Sequence, residues 1–347
     1  MKVISFTVLN NEADIIESFV RYNMTYVDKM IILDNGCTDN TIKILKLLQQ
    51  EGYDIEIFNE SRVGFEQYVL MNKYLRIVSE EYESDWIIPL DADEMLMSDD
   101  KPIRAALEEL PRDRIYKIYW RQFVMNDEDD PKETFVCRRM KHSFLHKIGK
   151  VIIPTSMVKK CDLILQPGQH SVVSNEKVWM EETGILCMAH YPHRSFEQSK
   201  TKALCHSVRY VNYLGRQNGE SVHRNYFANQ CVMHLSDDND KWFFEAIRER
   251  TFKWGIDVIK SEIHPVNLKL QQIEDVEMKY STLAICNAEH SLYRLSLEMA
   301  LKSYDLRMES ILYNRNMPII LVYGTGGGGS DRLKRIQGGP CTYQSIY

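Results

Sequence analysis

Hydrophobic and polar positions in about the first hundred residues alternate between two periods. Apolar runs rich in β-branched residues are typical of buried strands, and they occupy residues 3–9, 29–33, 54–58 and 86–90. Apolar side chains at the spacing of an amphipathic helix fill the intervals, at residues 15–26, 38–50 and 66–79. Four strands separated by three helices predict an α/β fold with a doubly wound, mostly parallel sheet.

Polar residues follow each of the predicted strands. They occupy positions 10–12, 34–35, 59–60 and 91–94. Sheets of this kind bind ligands outside the carboxyl ends of their strands. The sequence therefore predicts a polar binding site at this edge of the sheet.

The remainder of the chain changes character twice. Strand-like runs continue to about residue 195, which gives an α/β domain at 1–195. Mainly helical spacing follows at 196–323, and we expect this region to bind an acceptor or to form a homodimer. Residues 324–330 have the composition of an engineered flexible linker, so residues 331–347 are interpreted as an appended peptide.

Charge and composition exclude some classes of protein. The 347 residues carry 43 basic and 49 acidic side chains, and this net charge of −6 argues against a nucleic-acid partner. No apolar run reaches the roughly 18 residues of a membrane helix, and the first residues run directly into a strand-like pattern, so we expect no membrane span and a cytosolic location. The eight cysteines include no CxxC pair and predict neither a disulfide frame nor a zinc site.

Two aspartates stand two positions apart, directly after the fourth predicted strand. They are Asp91 and Asp93, in the sequence Asp-Ala-Asp-Glu. Mg²⁺ and Mn²⁺ prefer oxygen ligands and are commonly held by one or two carboxylates together with substrate phosphates. A cation there would neutralise a leaving diphosphate. An acidic strand end is also a common solvated turn, so the pair does not decide the function alone.

The segment resembles the DxD region of family 2 glycosyltransferases, in which an apolar strand precedes D-A-D-D/E. Further motifs match in order: the first strand with its N-E turn at 8–12, the D-x-G-x-T-D-x-T element at 34–41, and Gly64, Gln67 and Asn72 ahead of the DxD. The resemblance covers about the first hundred residues and continues more weakly to about residue 205. It implies a GT-A fold and an inverting enzyme that uses a UDP-sugar with Mn²⁺ or Mg²⁺.

The resemblance also implies roles for individual residues. Asp34 would accept a hydrogen bond from the uracil N–H, Asp91 would face the ribose or the metal, and Asp93 would ligate the metal. The same nucleotide-sugar pocket would include Leu9, Asn11, Glu12 and Asn72.

A second signature lies further along the chain, at residues 188–195. It resembles the H-Y-P-x-R-S signature of a family 2 subgroup. The resemblance makes His170 and His190 candidates for a third metal ligand, and it makes Arg194 and Lys202 clamps for the diphosphate. A single histidine in such a position is as often structural.

An inverting transfer requires a base that takes the proton of the acceptor. The acidic loop at 126–131 lies in the corresponding stretch, and Asp127 is the candidate catalytic base. The loop departs from the family pattern, because the chain has no clear E-D pair before a helix here.

The peptide after the linker is a candidate acceptor. A short flexible linker holds such a peptide at an effective concentration on the order of millimolar. Cys341 follows Gly-Gly-Pro, and a thiolate is intrinsically the best nucleophile among the side chains of this peptide. The segment loosely resembles the Gly-rich acceptor loop of glycocin bacteriocins, whose glycosyltransferases modify Cys or Ser. An affinity or crystallisation tag is the alternative interpretation.

We therefore predict a metal-dependent, inverting glycosyltransferase that transfers a sugar from a UDP-sugar to a peptide side chain. Transfer to a cell-surface glycan is the first alternative. A nucleotidyltransferase would normally carry a Gly-rich, basic loop after its first strand, where this chain has Asn-Asn-Glu at 10–12. A peptide-binding module without catalysis would bind peptide but neither UDP nor metal.

Overall fold

The computed structural model describes most of the first two hundred residues and a few short segments beyond them. The described residues are 1–61, 67–98, 101–126, 128–195, 198–199, 201–202, 205, 264–265 and 276–281. They belong to a compact unit made of Met1–Lys200 and Asp240–Cys286, apart from 201, 202 and 205, which belong to a second unit. The helical region, linker and peptide predicted after residue 195 fall almost entirely outside the described residues, and the predicted domain bounds stay predictions.

The strands, in chain order, are β1 (Val3–Leu9), β2 (Lys29–Asp34), β3 (Ile55–Asn59), β4 (Trp86–Pro89), β5 (Glu94–Met97), β6 (Ile115–Phe123), β7 (His142–Pro154), β8 (Ile164–Leu165), β9 (Val172–Val173), β10 (Met180–Glu182), β11 (Cys187–His190) and β12 (His264–Pro265). The helices are α1 (Ile16–Asn23), α2 (Thr41–Gln50), α3 (Gln67–Glu81), α4 (Ile103–Glu109), α5 (Val136–Arg139) and α6 (Thr155–Lys160), with a 3-10 turn at Pro167–Gln169. Every helix among these is too short or too polar to cross a membrane.

One mixed sheet carries the fold. Its strand order is β3-β2-β1-β4-β7-β6-β11-β5, with β10 paired to β6 and β12 paired to β7. β1, β2, β3 and β4 run parallel to one another, as predicted. β7 is antiparallel to both β4 and β6. The doubly wound first half is therefore joined to a mixed second half through β7.

Alternate residues of β1 point to opposite faces of the sheet, because side chains along a strand have a period of two. Ile4, Phe6 and Val8 pack in one apolar cluster with α3. Val3 and Leu9 pack in the other, with α1 and α2. Burial of both faces explains why the sequence of β1 is a continuous apolar run.

A short segment from late in the chain, residues 276–281, is fastened to α1 by one buried carboxylate. Glu17 accepts the backbone N–H groups of Lys279, Tyr280 and Ser281 at 2.7–2.8 Å. Arg21 bonds Glu17 at 2.9 Å and reaches Glu51 with both terminal nitrogens, at 2.8 and 3.1 Å. The Tyr280 hydroxyl donates to the same Glu51 carboxylate.

We expect the Glu51 contacts to make stability depend on acidity. The bonds from Arg21 and then from Tyr280 lower the pKa of Glu51 from its ordinary 4.5 to about 2. Between these values the unfolded chain binds more protons, so stability rises with pH and is lost as the pH falls from about 4.5 towards 2. Urea midpoints between pH 3 and 6 should show a shallower dependence in Glu51→Gln than in the parent. Glu108→Gln, on the exposed face of α4, is the control and should follow the parent.

Candidate active site

The ends of three strands share one edge of the sheet. Leu9 at the end of β1 lies opposite Asp34 at the end of β2 in parallel register. On its other side β1 pairs in parallel with β4, with Phe6 opposite Pro89. The polar residues that follow these strands are therefore neighbours at this edge, as the sequence predicts.

Asp34 closes β2 in a turn built around its own carboxylate. Its Oδ1 accepts the backbone N–H groups of Gly36 at 3.0 Å and Cys37 at 2.8 Å. Gly36 has φ +81°, a backbone conformation that residues other than glycine rarely adopt. The turn fixes the half-buried Asp34 carboxylate at the strand end.

Asn11 ties the turn after β1 to the start of α2. Its Oδ1 accepts the backbone N–H of Thr38 at 2.7 Å, and its Nδ2 donates to the Thr38 hydroxyl at 3.0 Å. Asp39 then accepts the N–H of Thr41, the first residue of α2, at 2.9 Å and the N–H of Ala13 at 3.1 Å. The side chain of Asp39 thus joins the start of α2 to the turn after β1.

A buried lysine faces the first aspartate of the DxD motif. Lys150 Nζ lies 2.6 Å from Asp91 Oδ2 and 3.4 Å from Glu94 Oε2. Gln67 donates to Asp91 Oδ1 at 2.9 Å, and the indole N–H of Trp120 donates to Glu94 Oε1 at 2.8 Å. Burial, more than the neighbouring Asp91 and Asp93, raises the pKa of Glu94 to about 8. Burial lowers the pKa of Lys150, but the carboxylates, Asp91 foremost, outweigh it and raise that pKa overall.

The second aspartate of the motif lies beside a histidine. Asp93 Oδ1 is 3.8 Å from His190 Nε2, and the Asp93 carbonyl accepts the N–H of Tyr191 at 2.9 Å. His190 Nδ1 lies 2.7 Å from Gln122 Oε1, and its ring stacks on Trp120 with centroids 4.1 Å apart. A carboxamide oxygen can only accept, so Nδ1 carries a proton, and Nε2 is the ring nitrogen on the side of Asp93.

Arg194 links the second signature to the turn after β1. It bonds Asp14 with two nitrogens, at 2.7 and 2.8 Å, and Glu12 at 2.6 Å. It also donates to the Tyr191 carbonyl at 3.1 Å and lies 3.9 Å from Asp93 Oδ2. The guanidinium is almost completely buried, so these carboxylates neutralise it inside the protein.

This site lies inside a match to a known family. The family model described as "Glycosyltransferase family 92" matches residues 8–212, which is more than half of the chain. The chain belongs to glycosyltransferase family 92. The prediction of a glycosyltransferase is therefore confirmed, and the family is 92 where the motif resemblance indicated family 2. Membership also decides against a nucleotidyltransferase and against a peptide-binding module without catalysis.

Solved structures of glycosyltransferases are similar to this family 92 enzyme at low identity. S. aureus TarS 1–349 is 12% identical over 70% of this chain and 74% of that one, with a TM-score of 0.37. The mannosyltransferase PcManGT from Pyrobaculum calidifontis, solved with GDP-Man and Mn²⁺, is 11% identical over 87% and 86%, with a TM-score of 0.33. No match is found among curated proteins. The predicted α/β fold is confirmed by the sheet topology described above.

The family 92 enzyme brings together most of the residues predicted for the site. They are Asn11, Glu12, Asp34, Asp91, Asp93, His190 and Arg194, which all lie at or next to the strand ends described above. Their roles in binding donor and metal stay predictions. Arg194 differs from its predicted role in one respect, because its donors already bond protein carboxylates instead of lying open for a diphosphate.

Three predicted residues lie in structural positions. Asn72 accepts the N–H of Leu165 and donates to its carbonyl, at 2.8 and 3.0 Å, and so joins α3 to β8. Leu9 is buried in the core. His170 donates to the Gly149 carbonyl at 2.7 Å and meets Trp120 edge to face, and burial lowers its pKa. The predicted set of Asp93, His170 and His190 is not assembled, since the described residues form no group of three metal-ligating side chains.

Three further predictions lie beyond what the structure can place. Asp127 and Cys341 fall outside the described residues. Lys202 belongs to the second compact unit. Their roles as base, acceptor and diphosphate clamp stay predictions.

Several residues that build the site could not be placed there from the sequence. Lys150 meets Asp91 only because β7 pairs with β4, and Gln169 reaches Lys150 from the 3-10 turn. Gln122 meets His190 only because β6 pairs with β11. Trp120 lies under two histidines for the same reason. Asp14 lies two residues after the N-E turn, and its position beside this turn is the one sequence feature that could indicate a role in the site. Its partner, Arg194, could not be identified from the sequence.

Proposed function

We propose that this enzyme transfers a sugar from a nucleotide diphosphate sugar, with UDP as the nucleotide, at the strand-end site. The observation that supports this most is the pair Asp93 and His190, 3.8 Å apart, on the edge that also presents Asp34 and Asp91. An acidic pair at the end of β4 suits a cation that binds the diphosphate of the donor. A carboxylate at the end of β2 suits the uracil ring of the donor.

The chemistry of Asp93 and His190 suits a divalent cation. A carboxylate oxygen and an imidazole nitrogen lie 3.8 Å apart, and the Gln122 contact holds a ring proton at Nδ1, so Nε2 would supply the lone pair to a cation. Two protein ligands are sufficient, because Mg²⁺ and Mn²⁺ usually complete their coordination with substrate phosphates and water. Such a cation, when bound, would supply the positive charge that stabilises the leaving diphosphate.

The chain's own residues would orient the donor. Asp34, held by the N–H groups of the following turn, accepts from the uracil N–H. In the transfer, the acceptor sulfur or oxygen forms a bond to the anomeric carbon while the bond from that carbon to the diphosphate oxygen breaks. A protein base takes the acceptor proton, UDP departs, and the anomeric configuration inverts.

Asp127 is the proposed base of this transfer. Asp127→Asn is expected to lower kcat about a hundredfold with a small change in the KM of the donor, because general-base catalysis contributes about 10²–10⁴ in rate. Steady-state kinetics with saturating UDP-sugar would measure this. Glu128→Gln in the same loop is the matched control, and an equal loss in both variants would remove Asp127 from the role.

The proposed acceptor is a peptide side chain, with the Cys341 thiol of the appended segment as the candidate. The support for it is the linker composition and the nucleophilicity of the thiolate, both from the sequence. A cell-surface glycan is the alternative acceptor. The two acceptors are distinguished by what gains mass in the reaction.

A panel of UDP- and GDP-sugars with Mn²⁺, assayed by nucleotide release and by intact mass, tests the proposal. We expect release of UDP from one sugar donor and a gain of one sugar residue on 331–347. A Cys341→Ala variant should lose that gain if the thiol is the acceptor. UDP release with an unmodified tail and a glycosylated oligosaccharide acceptor would favour the glycan. No turnover of any nucleotide sugar would reject the proposed donor.

A further inference from the structure

Lys150 is a fully buried lysine with no role in the transfer described so far. Its side chain has 0% relative exposure, yet Nζ lies beside three polar groups: Asp91 Oδ2 at 2.6 Å, Gln169 Oε1 at 2.5 Å and Glu94 Oε2 at 3.4 Å. Taking an ammonium out of water is costly unless partners compensate it. The site therefore contains a fixed internal cation directly behind the first aspartate of the motif.

The backbone around Lys150 is shaped to hold this ammonium in place. A Cβ on the preceding residue, Gly149, would stand 1.7 Å from the Ile118 carbonyl oxygen, so only glycine allows β7 to approach β6 here. Gln169, the other polar partner, has φ +57° and follows Gly168 with φ +75°. Two backbone conformations that most residues avoid are thus maintained beside the Lys150 ammonium.

The consequence is that Asp91 and Asp93 differ although they belong to one motif. Asp91 has a donor on each oxygen, Lys150 on Oδ2 and Gln67 on Oδ1. Its charge is balanced by an ammonium that cannot leave. Asp93 Oδ1 instead lies 3.8 Å from His190 Nε2, and its Oδ2 lies 3.9 Å from an Arg194 nitrogen that donates to the Tyr191 carbonyl.

We propose that Lys150 is a positioning residue that fixes Asp91 as a hydrogen-bond acceptor for donor hydroxyl groups and leaves Asp93, with His190, as the cation ligand. This inference rests on the proposed function. It predicts that the roles of the two aspartates can be distinguished by experiment. Loss of Lys150 should weaken nucleotide binding without weakening cation binding, because removal of an ammonium cannot reduce the negative charge of the site.

The test measures two dissociation constants on the full chain. Calorimetry gives the Kd of UDP at saturating Mn²⁺, and the EPR signal of free Mn²⁺ gives the Kd of the metal. We expect Lys150→Met to raise the Kd of UDP about tenfold or more, since the hydrogen bond that is lost joins two charged groups. The Kd of Mn²⁺ should stay within about twofold or fall. Lys147→Met, an exposed lysine of the same strand, is the matched control and should change neither constant.

A second variant covers the case in which Lys150→Met does not fold. Lys150→Met combined with Glu94→Gln removes the ammonium together with the buried carboxyl group beside it, keeps the Asp91 carboxylate, and should show the same separation of UDP from Mn²⁺. An unchanged Kd of UDP, or an equal rise in both constants, would overturn the inference. If the parent itself binds neither UDP nor GDP, the proposed function is rejected. If the parent binds UDP and the variants bind it equally well, only the inference about Lys150 is rejected.

Discussion

Replacing Asp93 by asparagine is expected to lower kcat/KM about a thousandfold. Asp93 is the buried carboxylate that faces His190, and we propose that it holds the cation which stabilises the leaving diphosphate. A thousandfold loss corresponds to about 4 kcal/mol of transition-state stabilisation, the several kcal/mol that a Lewis-acid cation supplies. The initial rate of UDP release at donor concentrations well below KM measures the effect, and EDTA should reduce the parent enzyme to the same low rate.

Asp54→Asn provides the control for this variant. Asp54 is an exposed carboxylate just before β3 that pairs with Lys29, and its loss should change kcat/KM by less than about twofold. Thermal unfolding of both variants separates lost chemistry from lost folding. Full turnover of Asp93→Asn, or of the parent in EDTA, would contradict the metal-dependent mechanism.

Replacing Arg194 by methionine is expected to destabilise the protein by about 3–5 kcal/mol. The buried guanidinium compensates two carboxylates, Asp14 and Glu12, and methionine would leave both charges without their partner in the core. The free energy of unfolding from urea titration at pH 7 measures this loss. Partial recovery is expected when Asp14→Asn and Glu12→Gln are added, because the buried charges are then removed as well.

The exposed pair Arg76 and Asp162 is a suitable comparison. Both side chains are more than half exposed, and Arg76→Met should cost less than about 1 kcal/mol. Equal effects at Arg194 and Arg76 would show that the buried network contributes no more than a surface pair. In that case Arg194 would again be a candidate for contact with the diphosphate.

The alternation of strands and helices in the first ninety residues could be predicted because hydrophobic period alone distinguishes them. β1 is a continuous apolar run because both of its faces are buried, one against α3 and the other against α1 and α2. β7 could not be placed from the sequence. It is mixed in burial, it carries a register shift opposite Tyr119 and Trp120, and its place between β4 and β6 is decided by long-range pairing.

The same division holds for the site. Asp34 and Asp93 were detectable because each lies directly after a predicted strand, where parallel sheets present their ligands. The contact of Lys150 with Asp91 could not be predicted, because a lysine within a strand is usually solvated and only the folded sheet puts its ammonium against Asp91. For Asn72 the resemblance indicated a binding role, whereas the structure shows a link between α3 and the Leu165 backbone.

The contact between Glu17 and residues 279–281 limits how the enzyme can be shortened. Three consecutive amide groups from more than 260 positions away converge on this one carboxylate. A fragment that stops at residue 195 would take those donors away and uncover the apolar surface under Val276, Met278 and Tyr280. The smallest fragment that keeps the contacts of α1 must therefore either extend to Ser281 or include residues 276–281 joined through a new linker.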